Sequence, residues 1–159
     1  MTNPKLRTAC TMLVWAGALS VVARAADRNF AQHLVEATLA KHPELAGVEL
    51  SSTPPGTSQC QTIASTDPHD LGDKCDNDEL TAIKTDKPFA ENEVEKGQHV
   101  WDITSPLHDS SGKLVGTVGM DVKPRPGQTK PVVLRLTAAI VQEMEQRIPS
   151  KASLFAAAP

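Results

Sequence analysis

One aspartate stands out in this sequence because its surroundings would make its charge costly. Asp102 lies within residues 98–122, a segment rich in Val, Ile and Thr that is typical of β-strands. A carboxylate buried in a pocket needs a partner, so Asp102 would favour a ligand that carries an ammonium or another donor-rich group. The alternative is a structural aspartate whose carboxylate accepts hydrogen bonds from loop backbone.

Cys60 and Cys75 are the second feature with a chemical consequence. In an oxidising compartment we expect such a pair to form a disulfide, and a reactive or metal-bound pair is the alternative. The disulfide would close a loop of about fifteen residues and stabilise the fold by on the order of 3 kcal/mol in the chain-entropy model. The sequence contains neither C-x-x-C nor C-x-x-C-H, which gives redox exchange and covalent haem no support.

The remaining reactive residue types form no recognised pattern. The five histidines include no H-x-H, H-E-x-x-H or i, i+4 pair, and no G-x-S-x-G or free cysteine nucleophile is present. We therefore expect no metal, no cofactor and no enzymatic activity. A cluster of four acidic residues lacks the spacing of an EF-hand loop, and we expect it to form the solvated start of a helix. The four residues are Asp73, Asp76, Asp78 and Glu79.

The amino terminus has the pattern of a secretory signal peptide. Lys5 and Arg7 precede a short apolar run at residues 11–22, and small residues precede a cleavage site after Ala25. We expect residues 1–25 to be removed together with Cys10, and the mature chain to be periplasmic or secreted. An uncleaved anchor helix is the alternative, although the apolar run is short for a membrane span.

The mature chain is expected to be one acidic domain. Its length suits a single core, which we assign to residues 26–149. The full chain has a net charge of -3, and loss of the signal peptide removes basic residues only. This balance argues against nucleic acid or an anionic membrane as a partner. Aromatic residues make up only 3% of the chain, so few side chains are available to stack on the ring of a base or a sugar.

A long hairpin at residues 98–122, reversing at Asp109-Ser110-Ser111-Gly112, is the centre of the predicted fold. Apolar spacing predicts helices at both ends of the chain, and alternation predicts three further strands. A capping-box pattern predicts a short helix after an irregular loop. The predicted elements are a helix at 27–42, strands at 47–52, 59–65 and 88–95, the short helix at 76–85, a helix at 129–148 and a frayed tail at 150–159.

Three short motifs in this order of elements resemble the extracytoplasmic Cache or PDC sensor domains, which are PAS-like modules of bacterial chemoreceptors and sensor kinases. The motifs are ASTDP at 64–68 leading to Leu71-Gly72, SPLHD at 105–109 and SGKLVG at 111–116. The resemblance spans most of the mature chain. It implies an α+β fold with a five-stranded antiparallel sheet, long N- and C-terminal helices on one face, and the loop with its short helix on the other.

The resemblance also implies a ligand pocket between the sheet and the loop. In carboxylate-sensing relatives, basic residues occupy the positions that match Thr62, Ser65 and Asp102, so this chain departs from the pattern that recognises an anion. Strand alternation places Thr104 on the same face as Asp102. We expect these four residues to bind a small polar ligand that carries an amine.

Two functions are consistent with these features. The first is a free-standing periplasmic sensor module that acts through a separate protein partner, with a homodimer formed through the N-terminal helix as in many members of the family. The second is a non-catalytic accessory subunit that binds a membrane or periplasmic protein. A formed polar pocket around Asp102 would favour the first, and a sealed apolar contact with an exposed apolar patch elsewhere would favour the second.

Overall fold

A computed structural model of the chain describes residues 29–95 and 97–158. The predicted signal peptide at residues 1–25 lies outside this part of the chain. The elements, in order, are helix α1 (Phe30–Lys41), strands β1 (Leu45–Ser52) and β2 (Gln61–Ser65), helix α2 (Asn77–Thr85), strands β3 (Phe89–Glu95), β4 (Gln98–His108) and β5 (Leu114–Val122), helix α3 (Lys130–Glu145) and a 3-10 helix (Lys151–Phe155).

The five strands form one antiparallel sheet in the order β2-β1-β5-β4-β3. The central hairpin pairs Asp102 of β4 with Asp121 of β5. On the other side of β5, Gly47 of β1 pairs with Asp121 and Glu49 pairs with Gly119. Because side chains alternate along a strand, Glu49, Asp102 and Asp121 lie on one face of the sheet.

The opposite face of the sheet carries the hydrophobic core. Helices α1 and α3 contribute to this core, and Trp101 packs against it. No helix within residues 29–95 and 97–158 is both long and apolar enough to cross a membrane. The buried apolar side chains of the core include Leu34, Val35, Leu50, Ile103, Val118, Met120, Ile140 and Met144.

Helix α2 begins with a capping box and lies on the polar face of the sheet. Asp76 Oδ1 accepts hydrogen bonds from the backbone N–H groups of Asp78 and Glu79, at 2.9 and 3.0 Å. Glu79 Oε2 accepts from the backbone N–H of Asp76 at 2.9 Å, and its Oε1 accepts from Thr117 Oγ1 of β5 at 3.4 Å. The predicted arrangement of terminal helices on one face and a short helix on the other is therefore confirmed.

Loss of this cap gives a first testable effect. Asp76→Ala removes two hydrogen bonds to the first turn of α2, so we expect the free energy of unfolding to fall by about 1 kcal/mol in urea denaturation. Asp73→Ala is the matched control, because Asp73 is also acidic and close in sequence but does not cap the helix. Equal losses in the two variants would show that charge, and not capping, sets the effect.

The loop between β2 and α2, residues 66–76, is named the roof loop. The structure joins Cys60 to Cys75 with their Cα atoms 5.4 Å apart, which confirms the predicted disulfide. The backbone N–H of Thr62 donates to the carbonyl of Asp73 at 2.8 Å, and Cys75 N–H donates to the carbonyl of Cys60 at 3.2 Å. Covalent and backbone bonds therefore hold the far end of the roof loop against β2.

His108, at the end of β4, links the two sides of the sheet. Its Nε2 lies 3.0 Å from Asp86 Oδ1, at the C-terminal end of α2. Its Nδ1 lies 2.8 Å from Glu145 Oε1 of α3, and that oxygen also accepts from the backbone N–H of His108 at 3.0 Å. The end of α2 is thereby fixed relative to the terminal helix on the opposite face.

Residues 150–158 are docked, so the expectation of a frayed tail is wrong for them. Lys151–Phe155 forms a 3-10 helix in which Leu154 has 0% exposure. The backbone N–H of Phe30 donates to the carbonyl of Ala156 at 2.8 Å. An alanine-rich composition gives no periodic signal for such an element, because contacts with the distant start of α1 hold it in place.

Candidate functional site: an acidic cavity

A cavity of about 790 Å³ lies between the polar face of the sheet and the roof loop, and is named the acidic cavity. Among its described lining residues nine are acidic and one, Lys74, is basic. Charges of one sign in a cleft with low-dielectric walls reinforce one another and attract the opposite charge. The nine acidic residues are Glu49, Asp67, Asp70, Asp73, Asp76, Glu79, Glu93, Asp102 and Asp121.

Two glycines make room for the carboxylates on the floor of the cavity. A Cβ atom at Gly119 would lie 2.7 Å from Cγ and 2.8 Å from Oε1 of Glu49. A Cβ atom at Gly47 would lie 2.5 Å from Oδ2 of Asp121. Each carboxylate therefore extends across the neighbouring strand at the point where that strand has no side chain.

Glu49 is the carboxyl group most affected by this crowding. Its burial raises its pKa to about 8, and the negative charges of Glu79, Asp70, Asp102 and Asp121 add to the increase. Both causes disfavour the ionised form, because a buried charge loses hydration and like charges repel. Near neutral pH the Glu49 side chain is therefore largely protonated.

Ser65, the last residue of β2, orders the start of the roof loop. Its Oγ donates to Asp70 Oδ2 at 3.1 Å and accepts from the backbone N–H of Asp67 at 3.0 Å. Asp67 Oδ1 in turn accepts from the backbone N–H of His69 at 2.9 Å. These bonds position two roof carboxylates above the end of the strand.

The cavity brings together three of the four predicted ligand-binding residues. Thr62, Ser65 and Asp102 line it. Thr104 is buried, and it lies on the sheet opposite Phe89 and Gly119 but outside the described lining. Whether any of the four binds a ligand is taken up below as a proposal.

The sequence analysis missed most of the acidic lining. Asp73, Asp76 and Glu79, which we expected at a solvated helix start, line the cavity, and Glu79 is only 7% exposed. Asp121 could have been found from the hairpin register, because it is directly opposite Asp102. Glu49 could not, since its place depends on the long-range pairing of β1 with β5.

The arrangement is chemically suited to a ligand with positive charge. An ammonium or guanidinium group in the cavity would offset the repulsion between the carboxylates and donate hydrogen bonds to them. Within the described residues, no group of three or more His, Cys, Asp or Glu side chains could hold a metal ion. The lining therefore favours a cation over an anion.

No protein-family model matches the sequence, and no curated protein matches it. Three solved structures have a similar fold. The type II free methionine-R-sulfoxide reductase from Thermoplasma acidophilum is 16% identical, with 79% of this chain and 92% of that chain covered and a TM-score of 0.53. The fRMsr protein of Staphylococcus aureus is 14% identical, with 77% and 86% covered and a TM-score of 0.52. The second GAF domain of DevS from Mycobacterium smegmatis is 12% identical, with 72% and 88% covered and a TM-score of 0.51.

These similarities show the fold alone, which is like that of the GAF domain of DevS and of the two reductase structures. They also correct our expectation that the chain is not an enzyme. Two of the similar structures are methionine-R-sulfoxide reductases, so the same fold carries enzymatic activity elsewhere. The lack of a familiar catalytic motif in the sequence is therefore no ground for excluding catalysis.

Proposed function

We propose that the protein is a small-molecule sensor module whose acidic cavity binds an organic cation. The observation that carries this proposal is the lining of the cavity, where nine described carboxyl groups surround about 790 Å³ of space. A formed polar cavity around Asp102 is also the feature that distinguishes a sensor module from an accessory subunit with a sealed apolar contact.

Thr62, Ser65 and Asp102 are proposed to contact the ligand. Asp102 lies on the floor of the cavity beside Asp121, whereas the two hydroxyl residues lie on β2 below the roof loop. A ligand with one ammonium group and a polar second end would use both regions. We extend the proposal to Thr104 only as a buried support for the strand that carries Asp102.

The setting of the proposed sensor follows from the sequence. The signal-peptide pattern supports a periplasmic or secreted protein, and a disulfide is the expected state of paired cysteines in that compartment. A sensor module of this kind would pass its signal to a separate protein partner. A homodimer through α1 remains part of the proposal, and sedimentation of the purified protein would test it.

A thermal-shift screen tests the proposed ligand class. The probes are putrescine, lysine and arginine as organic cations, succinate as an anion of similar size, and calcium chloride as a metal salt. At a hundredfold excess over its Kd, a ligand that binds only the native state stabilises it by about 2.7 kcal/mol. We expect at least one organic cation to raise the melting temperature by several degrees, and succinate to leave it unchanged.

Asp102→Asn tests the site. It removes the charge but keeps the shape, so we expect the Kd of the bound cation to rise by roughly tenfold to a hundredfold. Glu91→Gln is the matched control, because Glu91 is opposite Asp102 on β3 but does not belong to the described lining. Stabilisation by succinate instead of the cations, or no stabilisation by any probe, would contradict the proposed function.

A further inference from the structure

Carboxyl groups crowd the acidic cavity, and Glu49 is the one whose ionised form this crowding disfavours most. Glu49 lies on the floor of the cavity, on β1 between β2 and β5, where it is only partly exposed and its carboxyl group extends over Gly119 of β5. Carboxylates from four elements act on it: Glu79 from α2, Asp70 from the roof loop, Asp102 from β4 and Asp121 from β5.

The described lining contains too few basic side chains to neutralise these carboxylates. Lys74 of the roof loop is the single basic residue there, against nine acidic residues. An additional negative charge on Glu49 is costly as long as the cavity contains only water, because four carboxylates repel it. A positive charge among the carboxylate oxygens would attract the ionised Glu49 and offset this repulsion.

We propose that the cavity takes up its organic cation in exchange for the proton of Glu49. The O–H bond of the carboxyl group breaks, the proton passes to solvent, and the ligand ammonium keeps its own protons and pairs with the carboxylate that forms. For a ligand with a single ammonium group the net charge of the site is the same before and after binding, and for putrescine, which carries two ammonium groups, it rises by one. This inference rests on the proposed function, since it needs a cationic ligand.

The raised pKa of Glu49, at about 8, supports this exchange. At neutral pH the empty site would hold the proton, and above about pH 9 it would already have lost it. Affinity for the cation is therefore expected to increase with pH by up to about tenfold per pH unit below pH 8, and to become constant above it. Alkylammonium ligands titrate only at about pH 10, so they remain charged over this range.

Isothermal titration calorimetry measures the exchange directly. Putrescine is titrated into the purified protein at neutral pH in buffers of different ionisation enthalpy, and the dependence of the observed heat on the buffer gives the number of protons released. We expect release of about one proton at neutral pH and none above about pH 9. In Glu49→Gln, which keeps the shape of the protonated side chain, we expect no release at any pH.

Glu93→Gln is the matched control, because Glu93 lines the cavity from β3 but is not among the groups that act on Glu49. It should weaken binding and leave the number of released protons unchanged. Binding without proton release, or equal release from Glu49→Gln, would overturn the exchange while the proposed function stands. If no organic cation binds, the proposed function fails and the exchange fails with it.

A titration of the free protein tests the exchange without any ligand. The carboxyl carbon resonance of Glu49, followed by NMR against pH, should show its midpoint well above the ordinary range of a glutamate. A midpoint of about 4.5 in the free protein would overturn the exchange whatever the ligand, because the empty site would then hold no proton to release.

Discussion

The native protein is expected to lose stability as pH rises from about 5 to about 9, and Glu49→Gln is expected to abolish this pH dependence. Glu49 has a pKa raised from 4.5 to about 8 in the folded protein, and the unfolded chain restores its ordinary value. Between these two values the folded state holds one more proton than the unfolded state. Stability is therefore complete below about pH 4.5 and is lost as pH rises towards about 8.

The size of the effect follows from the same shift. Each unit of pKa corresponds to about 1.4 kcal/mol, and solvent screening of a partly exposed group reduces the sum, so we expect a loss of about 3 kcal/mol in the native protein. Urea denaturation at several pH values checks it. The difference in unfolding free energy between Glu49→Gln and the native protein should grow with pH, whereas Glu93→Gln should follow the native curve. Parallel curves for Glu49→Gln and the native protein would contradict the assignment.

Leu154→Ala is expected to lower the free energy of unfolding by about 3 kcal/mol, because it removes a fully buried side chain from the core. Such a loss would be surprising for a residue in a C-terminal tail. The backbone bond from Phe30 to Ala156 fixes this segment beside α1, so the structure around the cavity left by Leu154 can relax only partly.

Val132→Ala is the control for Leu154→Ala. It shortens an aliphatic side chain that is 46% exposed on α3, and we expect it to change stability by less than about 0.5 kcal/mol. Denaturation in urea, with the slope compared as well as the midpoint, distinguishes the two variants. A loss below about 1 kcal/mol for Leu154→Ala would mean that the 3-10 helix is not part of the core.

The local elements of this fold were predictable because their signals are short in sequence. The capping box at Asp76 and the turn at Gly112, whose φ is 84°, depend on neighbouring residues only, and the structure contains both. The disulfide was predictable because Cys60 and Cys75 are the two cysteines that follow the predicted signal peptide. Asp102, which the sequence analysis places in a pocket, lines the cavity.

The parts that could not be predicted depend on contacts between distant residues. Glu49 becomes a neighbour of Asp121 only when β1 pairs with β5, and a sequence does not specify that pairing. Glu79 has the sequence signal of a cap, which is correct, but nothing in the sequence shows that α2 presses it against Thr117. Prediction therefore found one carboxylate of the cavity where the structure shows nine in its described lining.

At its far end the roof loop is held by a disulfide and by backbone atoms, and not by the carboxylate that lines the cavity there. The Cys60–Cys75 disulfide and the backbone bond between Thr62 and Asp73 hold the loop without any contribution from the Asp73 side chain. Substitution at such a position changes the charge of the cavity at little cost to folding. We therefore expect this loop to be where evolution, or a protein designer, can convert the scaffold from cations to another ligand class while the sheet beneath stays the same.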